Sequence, residues 1–186
     1  LPISAAAVGL ACGMDVGDVA SALGAAGAAS ARRMDVRVTA DGVTVINYSY
    51  NANPDSMRAA LKSLAVMARG GGGHRRTWAV LGEMAELGED SITEHDLLGR
   101  FLVRLDVSQL VVVGHGRPQR ALFQGAVQEG SWGSEAEHVE SAEDAIALLG
   151  ERVEPGDIVL VKASASVGLW SVAEQLLATR GEENQQ

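Results

Sequence analysis

Four short stretches carry side chains that could do chemistry. In Tyr50-Asn51-Ala52-Asn53-Pro54-Asp55-Ser56, two amides and free backbone N–H groups gather in one polar turn. Such groups at the carboxyl end of a strand hold ligands; the plainer reading is a turn that only caps the next helix. Lys162 ends the apolar run Ile158-Val159-Leu160-Val161. A lysine there is costly unless it faces a cleft, where it would hold a carboxylate or phosphate. The plainer reading is a stem lying along the sheet edge with its ammonium in water. Ser164 and Ser166 follow, offering hydroxyl and backbone donors to an anion or simply capping a helix. Glu83 and Glu86 could orient an amine or a metal, or be solvated loop acids. His95 falls in a helix, where packing or hydrogen bonding is the commoner use.

Other near-motifs fail on their own terms. Gly114-His115-Gly116 begins like a dinucleotide loop, but position 119 is Gln. Gly70 to Gly73 has the glycine count of a phosphate loop without the Gly-Lys-Ser/Thr that must follow. His74, His95, His115 and His138 are scattered, and with one cysteine, Cys12, no His/Cys pair has zinc spacing. No Ser–His–acid or Cys–His set stands out.

These residues need elements to position them. Val36–Thr39 and Val43–Ile46 flank Asp41-Gly42, a strong hairpin signal. A helix starts at the Asn53 cap with Pro54 in its first turn and runs to about Arg69 with Met57, Ala60, Leu61, Leu64, Ala65 and Ala68 inward. Thr77–Gly82 reads as a buried strand. A polar loop follows, and then a helix that a Ser91/Glu94 capping box would start, with Leu98, Phe101, Leu102 and Leu105 inward. Leu110–Gly114 and Ile158–Lys162 are further buried strands and Glu137–Val139 a short one. Pro118 and Ser141 open helices, and Ala163–Ser166 lead into the last. Apolar strands alternating with amphipathic helices predict an α/β fold, with about five parallel strands plus one hairpin strand and helices on both faces. The ends at Asn47–Asn53, Gly82–Gly88, Gly114–Arg117 and Lys162–Ser166 should then meet at one edge. Before this domain, residues 3–12 and 16–26 read as Ala-rich helices whose small-residue faces bury too little to stand alone. Ala28–Arg33 reads as a linker, and 181–186 as a polar tail. The apolar start resembles a signal-peptide core but lacks a basic region and a methionine, which favours an internal helix whose beginning lies elsewhere.

Composition narrows the function classes. The 186 residues suit one domain, or one plus a fragment of another. With 15 Lys and Arg against 24 Asp and Glu, the net charge of −9 argues against nucleic acid as a partner while leaving room for anionic ligands at local sites. A single cysteine suits a reducing compartment, the cytoplasm. No run reaches the ~18 apolar residues of a membrane span.

Tyr50-Asn51-Ala52-Asn53-Pro54-Asp55-Ser56-Met57, Leu81-Gly82-Glu83-Met84-Ala85-Glu86-Leu87-Gly88 and Leu160-Val161-Lys162-Ala163-Ser164 resemble, in order, motifs of the carboxy-terminal part of Mur ligases. The resemblance covers nearly the whole chain. It implies a Rossmann-like, mostly parallel sheet at 34–186, preceded at 1–33 by the helical tail of a central ATPase domain. The implied activity is ATP-dependent amide ligation in peptidoglycan synthesis. ATP makes an acyl phosphate, which the incoming amine displaces. The partners implied are UDP-N-acetylmuramoyl-tripeptide, D-alanyl-D-alanine, and upstream ATPase and UDP-binding domains that carry the phosphate loop and the acids for Mg2+.

By the same resemblance Arg33, Tyr48, Asn51 and Asn53 fall at ATP-binding positions, and Glu83, Lys162 and Ser164 at substrate-binding ones. No catalytic or metal-ligating residue is assigned, and the chain alone is expected to be inactive. The chain departs from the family pattern at Asn47-Tyr48, where Asp-Asp is usual and its second member contacts the ATP ribose. Ala163 stands where glycine is usual, and the family's adenine-contacting asparagine would fall near Leu1, where it is absent. A non-catalytic binding module that kept the lobe's fold is the competing class.

Overall fold

The computed structural model describes residues 2–25, 34–70, 73–130 and 134–181. The chain separates into two compact units, Leu1–Ala31 and Arg32–Gln186. The linker expected at 28–33, Arg33 with it, and the tail beyond 181 lie outside the described residues.

In the first unit, α1 (Pro2–Ala11) and α2 (Val16–Ala25) meet with Gly9 against the Val19 side chain. Asp15 starts α2 by accepting the Gly17 N–H at 2.8 Å. Among the side chains described here only Val19, 7% exposed, is buried, which is the thin packing that the alanine content predicts.

The second unit is a six-stranded sheet. Its strands are β1 (Asp35–Val38), β2 (Thr44–Asn47), β3 (Thr77–Leu81), β4 (Gln109–Val113), β5 (Ala136–Val139) and β6 (Ile158–Lys162), in the order β1-β2-β6-β3-β4-β5. Only β1 is antiparallel. It is joined to β2 by the Asp41-Gly42 turn, where Gly42 takes φ +83°. The other five strands run parallel, as expected.

Each strand alternates between two cores. Ile46, Leu81, Val112 and Leu160 face α3 (Pro54–Ala68), α4 (Ser91–Arg104) and α5 (Arg117–Glu129). Val45, Val80, Val111 and Val161 face α6 (Ala142–Arg152) and α7 (Trp170–Arg180). Helices α4 and α5 touch backbone to backbone: a Cβ on Gly99 would lie 2.0 Å from the Leu122 carbonyl oxygen, and one on Gly125 2.2 Å from that of Asp96. At the amino ends of the strands, the buried Asp157 carboxylate accepts from Trp78 Nε1 at 2.8 Å, from the Arg76 guanidinium at 2.8 Å and from the Glu154 N–H at 2.9 Å.

Two helix starts differ from expectation. Ser91 does not cap α4. A 3-10 turn at Gly88–Asp90 runs straight into the helix, so Ser91 already has helical angles (φ −53°, ψ −49°) that a capping residue cannot have. Glu94 instead receives Arg58 Nη2 of α3 at 2.6 Å. Ser164 and Ser166 do not open α7 either: a 3-10 turn at Ala165–Val167 and Gly168, at φ +75°, intervene, and the helix begins at Trp170.

Candidate functional site

Three of the four converging strand ends enclose one cavity of about 400 Å³, lined among others by Tyr50, Asn51, Asn53, Glu86, Ser164 and Ser166. The first wall is the turn between β2 and α3. Asn53 is extended (φ −139°, ψ 164°), and its Oδ1 accepts the Ser56 N–H at 2.8 Å while Ser56 Oγ accepts the Asn53 N–H at 3.1 Å. This reciprocal box fixes the first turn of α3 and commits Asn53 Oδ1 to it, leaving the amide NH2 as the group Asn53 can offer a ligand. Behind it, Asn47 Oδ1 accepts from the buried Ser49 hydroxyl at 2.5 Å.

The second wall is the loop after β3, threaded by its own amides. Gly82 donates to the Lys162 carbonyl at 3.1 Å, and Ala85 to Ser164 Oγ at 2.8 Å. The Ser164 N–H donates to the Glu83 carbonyl at 3.0 Å. Glu86 is held at φ +65°, a conformation that costs a residue with a Cβ of order 1 kcal/mol. The Ser164 side chain therefore does not cap a helix: its Oγ accepts from the loop, and its O–H remains a donor toward the cavity. It ties the loop after β3 to the end of β6.

Lys162 is not at the mouth of the cleft. Side chains alternate along β6, so Lys162 continues the row of Ile158 and Leu160 on the α3 side and ends beneath the turn. It is 0% exposed, which rules out a stem reaching water at the sheet edge. Its Nζ donates to the Asn51 carbonyl at 2.6 Å and reaches that of Tyr48 at 3.5 Å, and it sits 3.7 Å from the Tyr48 ring centre. Burial pulls the ammonium down to about 8 from 10.5. Beside it, Ser164–Ser166 open a single 3-10 turn, not the helix α7.

The remaining candidates are dispersed. Tyr48 covers Lys162 with its ring and is not among the cavity's lining residues. Glu83 turns toward α5, where its Oε2 accepts Gln119 Nε2 at 3.3 Å. The fourth strand end, Gly114–Arg117, does not reach the cavity, and Gln119 explains the broken dinucleotide pattern: its side chain fills the space over Gly114 and Gly116. Among the described residues no group of three or more His, Cys, Asp or Glu could hold a metal ion. Nor is any helix long and apolar enough to cross a membrane. Sequence reasoning missed the buried Asn47–Ser49 pair and the Tyr48–Lys162 stack. Each joins the last residue of a strand to one just past the end of β2, where the period-two signal has ended.

The family model for the Mur ligase glutamate ligase domain matches residues 32–165, which hold the sheet, the turn and the loop. The chain belongs to the Mur ligase family. It is 58% identical over 183 residues to UDP-N-acetylmuramoyl-tripeptide–D-alanyl-D-alanine ligase of Mycobacterium leprae, a match covering 94% of this chain and 35% of that protein. It is 55% identical to the ligase of the same name from Mycobacterium tuberculosis H37Rv, covering 95% and 37%. Among solved structures it is similar to MurF of Acinetobacter baumannii (TM-score 0.73, 27% identity, 91% of this chain and 35% of that one). It is also similar to MurF ligase of Thermotoga maritima in complex with ADP (TM-score 0.70, 25% identity, 94% and 37%). The chain thus spans about a third of the length of these relatives. The family's fold, an α/β lobe with a mostly parallel sheet, is the one described above.

Proposed function

We propose that this chain is the carboxy-terminal part of a ligase that adds D-alanyl-D-alanine to UDP-N-acetylmuramoyl-tripeptide in peptidoglycan synthesis, in the cytoplasm, at the expense of ATP. The observation that carries this reading is the 58% identity, over 94% of the chain, to a ligase of that name. Residues 1–33 would then be the tail of the ATPase domain and 34–186 the lobe that closes over the reacting groups.

The turn fits a nucleotide in kind: Asn51 and the free amide of Asn53 offer the neutral donors and acceptors that a purine or ribose needs. Arg33 and Tyr48 complete the ATP set by resemblance. Lys162 and Ser164 serve the substrate side by holding the two walls, and Glu83 by holding the base of the loop against α5. Bound ATP supplies the leaving phosphate that makes acyl transfer to an amine possible. The groups that grip its phosphates and Mg2+ belong to the rest of such a protein, so this chain alone does not ligate.

Phosphate release with ATP, the muramoyl tripeptide and D-alanyl-D-alanine tests the reading. Turnover is expected when the chain is joined to the two upstream domains and not from the 186 residues alone; a joined protein that stays inactive with all three substrates sinks it. Asn51→Ala in the joined protein should raise the KM for ATP.

A second reading, a binding module that does not catalyse, is favoured by Tyr48. Its ring is engaged with Lys162 where the family usually presents a carboxylate to ribose. Nucleotide binding without turnover by the joined protein would support it.

A further inference from the structure

The cavity's second wall is held from behind by a histidine. His95 is 0% exposed, in the first turns of α4, and both ring nitrogens are engaged. Nδ1 lies 2.6 Å from the Ser91 carbonyl oxygen, which can only accept, so Nδ1 carries the proton. Nε2 is then bare, and it accepts the Met84 N–H at 3.0 Å. Met84 is the centre of the loop after β3. Its own side chain is fully buried, and the next three residues, Ala85, Glu86 and Leu87, line the cavity. The loop amides on either side, Gly82 and Ala85, are bound to β6 and Ser164. Met84 is the one of the three tied to α4.

We propose that His95 is a positioning residue that sets the cavity wall through the Met84 N–H and releases it on protonation. The proposal rests on the cavity being the ligand site, as argued above. Protonation at Nε2 would set two donors face to face and put a charge in a dry pocket. The charged groups around the ring are Glu83 from the loop and Glu94 from α4, the latter tied to Arg58 of α3. Both acids favour the protonated ring, and burial outweighs them, so the histidine lies below its ordinary value. With the loop released the ring moves back toward its ordinary range, so opening becomes easier as the pH falls.

Nitrogen-resolved NMR of the imidazole and amide exchange of the 186-residue chain test this without any substrate. The expected result is an Nδ1–H tautomer, and a Met84 protection factor, corrected for intrinsic exchange, that falls as the pH drops from 6.5. His95→Gln, which can accept from Met84 and donate to Ser91 without titrating, should keep the protection and lose its pH dependence. His95→Phe should lower protection in the loop at every pH. An Nε2–H tautomer, or Met84 protection with the same pH dependence in the Gln variant as in the wild type, overturns the proposal. In the joined ligase, the KM for the dipeptide should rise at low pH in the wild type and not with His95→Gln. A loop that opens while KM stays level would refute the role of the cavity and leave the clamp standing.

Discussion

Replacing Lys162 by methionine separates what the ammonium costs from what it does. The lysine titrates at about 8 in the lobe and near 10.5 when unfolded, a difference worth about 3 kcal/mol at 1.36 kcal/mol per unit. Because the folded value is the lower one, the unfolded chain holds the extra proton between these two pH values. The wild-type lobe should therefore gain stability as the pH rises from about 8 to 10.5, and carry the full penalty below 8. That penalty is net of the charge-assisted bond to the Asn51 carbonyl and the contact with the Tyr48 ring, both of which favour the ammonium. Removing the amine removes the penalty and the bond together, and the two losses oppose each other. Lys162→Met, similar in volume, should thus lie within ~1–2 kcal/mol of the wild type at pH 7, because Asn51 is exposed enough for water to take over its carbonyl. The turn, however, loses its tether. In the joined ligase the catalytic efficiency should fall about 10- to 150-fold, the equivalent of one charge-assisted bond. Urea unfolding of both forms between pH 7 and 10.5 reads the first part, and steady-state kinetics the second. The reasoning fails if the wild-type minus Met difference is flat across that range, or if the Met ligase keeps wild-type kinetics.

Three further outcomes follow from the same geometry. Tyr48→Asp would put a carboxylate beside the Lys162 ammonium, so that lysine should titrate higher by NMR; in the joined ligase the KM for ATP should fall, since a carboxylate can accept from both ribose hydroxyls. Gly99→Ala should destabilise the lobe by about 3 kcal/mol or more, because its Cβ would lie 2.0 Å from the Leu122 oxygen, whereas Gly150→Ala in α6, with nothing within 4 Å, should stabilise it by ~0.5–1 kcal/mol in urea unfolding. Asp157→Asn should cost about 3 kcal/mol or more by the same measurement, since it leaves Arg76 without its buried partner carboxylate.

Strand and helix order were legible because β2, β3, β4 and β6 are short apolar runs with turn residues at both ends, and that pattern has few other uses. The Asp41-Gly42 hairpin and the Asn53 and Ser141 caps were legible because each is a local rule satisfied within a few residues. Ser91/Glu94 satisfied the same rule on paper and failed. The deciding facts were a 3-10 turn that fixed Ser91 in helical angles and a distant Arg58 that claimed Glu94. Lys162 shows the limit most plainly. Its type and place marked it as unusual, but whether a strand-end lysine turns into the cleft or under the neighbouring turn depends on strand parity and on what Tyr48 and Asn51 present there. Neither is a local property of the sequence. The resemblance to Mur ligases supplied the names of the site residues; it did not supply their contacts, and five of them, Tyr48, Asn53, Glu83, Lys162 and Ser164, engage the lobe itself through ring, amide, carboxylate, ammonium or hydroxyl.

That engagement says something about how such a lobe is built. A cavity wall made of loop has few apolar contacts of its own to fix it, and water competes for every backbone group it exposes. Here each of the two walls is reached from below by a buried base: the turn by the Lys162 ammonium on the Asn51 carbonyl, the loop by the His95 imidazole on the Met84 N–H. Both are pulled below their ordinary values by burial. The histidine can accept only while its ring is neutral, whereas the lysine donates in either state and more strongly when charged. Each burial lowers stability, and what it returns is a fixed position for a backbone group that apolar packing alone could not hold. A methionine and a phenylalanine in their places would fill the same space and take from each wall its tether to the helix or strand behind it.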